Sequence, residues 1–101
     1  MREFLRGAVR LHILHHAARH EVHGAWMAKE LAQHGYRISP GSLYPTLHKM
    51  ETEGLLRSGQ QVVGGRVRRS YAATAKGRRT LESIKHQLRE LATEVLGDEI
   101  P

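Results

Sequence analysis

The chain has 101 residues, which suits one small domain with a modest core. Lysine and arginine number 16 against 10 acids, a net charge of +6 that favours nucleic acid, or less often an anionic membrane surface, as partner. Without cysteine, disulfides and thiolate metal sites are excluded, and a reducing cytoplasm is compatible.

The first segment, "MREFLRGAVRLHILHHAAR", is not a signal peptide, because Arg10 and His12 break its apolar run and no small-residue cleavage site follows. No run approaches the ~20 apolar residues of a membrane span, so a cytoplasmic protein is expected. Leu5, Ala8, Val9, Leu11, Leu14 and Ala18 recur at helical intervals and predict a helix over Glu3 to Arg19. His12, Ile13 and His16 widen its stripe. A second, short helix is expected from Gly24 to His34, with Gly35 as its stop and Trp26 packed between helices.

A third helix is expected up to Glu53, with Leu43, Leu47 and Met50 facing the core and Gly54 ending it. Its start in "SPGSLYPTL" has two solutions. If Ser39 caps it and Pro40 takes the first helical position, Pro45 falls inside and cannot bond the Gly41 carbonyl. If Ser42 caps it, Pro45 lies in the first turn and breaks no ladder bond.

Two extended runs follow, Leu55 to Val63 and Arg66 to Ala73, and Gly64-Gly65 between them reads as a hairpin turn. Thr74 is placed to cap a last helix over Ala75 to Leu96, and "GDEIP" ends the chain. In that helix Leu81, Ile84, Leu88, Leu91 and Val95 form a heptad seam, which needs either the domain's own first helix or a second copy against it. The class is therefore mainly α with a small β-hairpin. Residues 1–74 read as a winged helix-turn-helix and 75–101 as a long C-terminal dimerisation helix.

In such a fold the third helix is the candidate for the major groove of double-stranded DNA. Ser39, Ser42, Tyr44, Thr46, His48 and Lys49 offer it hydroxyls, an imidazole and an ammonium for phosphates and base edges. On the hairpin, Arg66, Arg68 and Arg69, with Arg57 less central, carry guanidinium forks that fit phosphates. Alternation places Arg66 and Arg68 on one face and Val67 on the other. A homodimer would present two recognition helices to a two-fold site.

Eight histidines are many for this length. His12, His16 and His20 recur every four residues on one helix face, spacing that could hold a transition metal but more simply gives a histidine-rich outer or interface face; a pH-sensitive interface lies between the two. Trp26 could also stack on a planar ligand. Neither a nucleophile with its base nor a phosphate-cradling loop is present, so no enzyme and no cofactor is expected.

The runs "HGAWMAKEL", "ISPGSLYPTLHKMETEGLL" and "RRSYAATAKGRRTLE" resemble the PadR family of bacterial transcriptional regulators over nearly the whole chain. Ser42, Leu43, Tyr44, Pro45, Leu47, Glu51, Glu53, Gly54 and Leu55 fill the family's middle block, and Tyr71, Thr74 and Gly77 its Tyr-x-x-Thr-x-x-Gly pattern. The resemblance implies repression of promoters by a homodimer, often relieved by a small aromatic or amphipathic effector. It also implies that Tyr44 touches the DNA backbone with Ser42 and Lys49 nearby. The chain looks like the short type with a single C-terminal helix, and Ala25 stands where many members carry tyrosine. A histidine-based metal or proton switch, and a winged helix that docks on protein, are the competing functions.

Overall fold

The structure is a computed structural model and describes residues 1–99; Ile100 and Pro101, the end of the expected terminator, lie outside the described residues. The elements run α1 (Arg2–Ala17), β1 (Val22–His23), α2 (Gly24–Gln33), α3 (Pro40–Thr52), β2 (Leu56–Val63), β3 (Arg66–Ala73), α4 (Ala75–Leu96) and a 3-10 turn over Gly97–Glu99.

Three helices fold around one apolar centre. Val9, Ile13, Leu14 and Ala17 of α1 meet Met27 and Leu31 of α2 and Leu43, Leu47 and Met50 of α3. Val22, Leu56, Tyr71 and Ala73 of the sheet close it, and Leu81 is what α4 adds among its apolar residues. Each fully buried Leu, Ile or Met contributes about 1.5–3 kcal/mol. Leu5, expected on the core stripe of the first helix, is instead 52% exposed, as is neighbouring Phe4 at 56%. The core stripe begins only at Val9, and the first two turns of α1 are left uncovered.

The hairpin is part of a three-stranded antiparallel sheet ordered β1-β3-β2. The two-residue strand β1 pairs Val22 with Tyr71 and His23 with Ser70. It is too short for alternation to reveal. Across the hairpin Val62 faces Val67 and Val63 faces Arg66. Gly64 and Gly65 turn it with φ of 58° and 78°, positive at both turn positions, as a tight twisted hairpin demands. The four residues Ser70 to Ala73 are buried, whereas the tip stands clear of the core.

The joints are polar. Glu51 of α3 accepts hydrogen bonds from the Ser58 amide (3.2 Å) and hydroxyl (2.5 Å), which fixes the hairpin against α3. Glu53 pairs with Arg10 of α1. Thr74 accepts from the Gly77 amide at 2.9 Å, as its place before α4 predicts, and donates to the Gly54 carbonyl at 2.5 Å. Arg78 donates to the Ala18 carbonyl at 2.7 Å, closing the C-terminal end of α1. At Gly77 a β-carbon would collide with the Leu55 carbonyl, so α4 starts in direct backbone contact with the approach to β2.

Candidate nucleic-acid interface

Of the two starts for α3, the structure takes the first. Ser39 is the N-cap, with Pro40 at the first helical position and Pro45 inside. The Ser39 carbonyl accepts from the Ser42 and Leu43 amides at 3.0 and 2.8 Å. The Ser39 hydroxyl does not cap; it lies 3.4 Å from the Ser42 hydroxyl. Pro45 has no N–H for the Gly41 carbonyl, and that carbonyl belongs to a residue with no side chain to crowd the ring. One turn on, the Thr46 hydroxyl donates to the Ser42 carbonyl at 2.8 Å, so Thr46 is partly engaged within the helix.

Leu43, Leu47 and Met50 are buried as expected, which turns the opposite side of α3 outward. Ser39, Ser42, Tyr44, His48 and Lys49 are exposed and Thr46 is half-buried. Tyr44 lies on the flank toward α2 and the sheet: its ring sits against Gly24 at the start of α2. Ser42, Thr46 and Lys49 lie on the other flank, lining a groove of about 1100 Å³ shared with the first turns of α1. Arg2, Arg6 and Arg37 line the same groove and no acid does. These three arginines escaped the sequence reading because they belong to two segments distant in the chain. Their signal was the charge of Arg37 in the connection between the two middle helices.

On the hairpin, Arg66 and Arg68 face Val63 and Gln61 across the strands, while Arg69 faces Gln60 and shares its side with Val67. Arg57 shares the face of Arg66 and Arg68. All four arginines are exposed, and neither strand contains an acid. Helix α3 is thus flanked by cationic side chains on both sides.

Trp26 is not packed in the core. The buried stripe of α2 runs through Gly24, Met27 and Leu31, which leaves Trp26 39% exposed at the end of α1. There it meets His16 and His20 edge-on, with ring centres 5.3 and 5.1 Å away. His12 stacks on His34 with ring centres 5.0 Å apart and lies tilted beside Tyr36 at 5.1 Å. Glu30 lies 3.5 Å from His16 and 3.2 Å from His34. Burial, then the neighbouring imidazoles, hold His12 and His16 below the ordinary histidine value, although Glu30 pulls both upward. Among the described residues no three His, Asp or Glu side chains converge as a metal site.

Residues 13–83 match the transcriptional regulator PadR-like family. The chain belongs to this family. It is 65% identical over 97 residues to the transcriptional regulator Rv3488 of Mycobacterium tuberculosis, covering 96% of this chain and 91% of that protein. Among solved structures, a PadR-like transcriptional regulator from Bacillus cereus superposes with a TM-score of 0.86 at 30% identity over 98% of both chains. A PadR family regulator from Eggerthella lenta gives a TM-score of 0.80 at 32% identity, covering 92% of this chain and 82% of the other. The winged-helix fold with a long C-terminal helix, first inferred from the order of elements, is that of these PadR proteins. The chain is a transcriptional regulator and not an enzyme. Among the described residues, no helix is long and apolar enough to cross a membrane.

Proposed function

We propose that this PadR-family regulator is a homodimeric repressor that binds a two-fold operator through α3 and the hairpin and is released by a small aromatic or amphipathic effector. The observation that carries the DNA reading is an outward, polar α3 lying between an acid-free hairpin with four arginines and a groove lined by Arg2, Arg6, Arg37 and Lys49. The start of α3, with Ser42 and Tyr44, is the end of the helix that attracts phosphate. Lys49 and the hairpin arginines Arg66, Arg68 and Arg69 neutralise the backbone on either side, and Ser39, Thr46 and His48 complete the surface.

The dimer rests on apolar surface without a cover. Leu88, Leu91, Val95 and Leu96 of α4 are 45–66% exposed, and Phe4 and Leu5 of α1 are similarly bare. Residues 1–74 then form the DNA-reading unit and α4 the dimerising one. For an effector, exposed Trp26 beside the His16 and His20 rings offers a flat aromatic wall.

The test is selection of fragments of the source genome by the protein, followed by a mobility shift on the recovered duplex. Affinity falls steeply with added salt, and Arg68→Ala and Tyr44→Ala weaken it with the fold intact. Unchanged binding in both variants would remove these residues from the interface. Binding to a target that survives high salt would favour a protein partner instead.

A further inference from the structure

Gly24 opens α2, directly after His23, and it is buried. A β-carbon built there would lie 2.6 Å from Tyr44 Cε1, 2.8 Å from its hydroxyl oxygen and 2.9 Å from Cζ. Ordinary contact between such atoms begins near 3.5 Å. The far edge of the Tyr44 ring therefore occupies the space that any other residue at position 24 would fill.

The backbone beneath the ring has little freedom to retreat. His23, one residue earlier, is paired with Ser70 in the sheet, and its Nδ1 lies 3.3 Å from the Arg69 carbonyl. Gly24 itself is held in the first turn of α2, whose Met27 and Leu31 are wholly buried. Tyr44 is 47% exposed and has solvent to move into.

We infer that Gly24 is a positioning residue: by lacking a side chain it seats the Tyr44 ring, and so fixes where the phenol hydroxyl meets the DNA backbone. The inference rests on Tyr44 as a DNA contact. A methyl group at position 24 displaces the ring by about 1 Å to restore ordinary contact. A hydroxyl–phosphate bond near 2.7 Å does not survive such a shift. The fold is kept, because the atoms displaced are the tip of one half-exposed side chain and not backbone.

The experiment is a double-mutant cycle on the duplex recovered by genomic selection, with Gly24→Ala, Tyr44→Ala and both together, each checked by circular dichroism and thermal unfolding. Tyr44→Ala is expected to weaken binding about tenfold. Gly24→Ala alone reproduces most of that loss, and adds nothing once the Tyr44 ring is gone. In the free protein, Gly24→Ala shifts the Tyr44 signal of 3-fluorotyrosine-labelled protein. Normal binding by Gly24→Ala beside a weakened Tyr44→Ala overturns the inference and leaves Tyr44 as a contact. Additive losses also overturn it, since Gly24 would then act through the backbone. Normal binding by Tyr44→Ala overturns the contact and the inference together. Should Gly24→Ala fail to fold, recovery of the fold by the double variant supports the collision with the ring, and failure to recover overturns it.

Discussion

The inner and outer ends of α4 carry apolar residues at the same spacing, yet they meet different surroundings. At the inner end Gly77 is pressed against the Leu55 carbonyl, and Leu81 is 5% exposed within the common core. From Leu88 onward the seam continues through Leu91 and Val95 with these residues 47–66% exposed. Ile84, half-buried, marks the crossover. Periodicity therefore reports that a helix face needs cover; only tertiary structure shows which part of it is covered from within the chain.

This contrast can be broken by substitution. The largest effect belongs to the inner end: Gly77→Ala forces a methyl group into backbone, and a loss of about 3 kcal/mol in urea denaturation is expected, at the upper end of the overpacking range. Leu81→Ala, a cavity at the margin of the core, is expected to cost about 2 kcal/mol by the same measurement. At the outer end, Leu88→Glu with Leu91→Glu leaves the stability of the single chain within about 0.5 kcal/mol per site. In sedimentation, the same pair is expected to convert the proposed dimer to a monomer. A stable dimer in that variant would move the interface away from α4.

The smallest effect is read through pH, on the α1–α2 side of the core. Packing holds His12 and His16 below their ordinary value, so the unfolded chain takes up protons first as pH falls. Stability present above the unfolded value of 6.5 is lost as pH falls through the lower folded values. The thermal midpoint is expected to drop on going from about pH 7 to about pH 5, and His16→Gln to flatten that slope. An unchanged slope would place the proton uptake elsewhere, with His15, His20, His34 and Glu30 as the neighbours to test.

Much of this was legible in the residues themselves. The first three helices followed from their helical spacing, the two hairpin strands from their β-branched and aromatic residues around Gly64-Gly65, and the last helix from Thr74 and its seam. The residues left unread depend on non-local geometry. β1 is only two residues long and exists because β3 pairs with it. The bare state of Leu5 and of Trp26 depends on what the rest of the chain fails to reach. The grouping of Arg2 and Arg6 with Arg37 follows from the groove that the start of α1, the α2–α3 connection and α3 line together. For α3, both starts satisfied local rules, and the structure takes the one in which Pro45 interrupts the ladder within the helix.

Thr74 joins the end of α3, through the Gly54 carbonyl, to the first turn of α4. Seen mechanically, it lies at the base of a lever. The 22 residues of α4 make an arm about 33 Å long. A tilt of about 5° at the base swings the far end by about 3 Å, close to the axial rise of one base pair. In the proposed dimer, the spacing between two reading heads then depends on how firmly Thr74, Gly77, Arg78 and Leu81 together hold the inner end, and a small tilt there becomes about one step along the duplex.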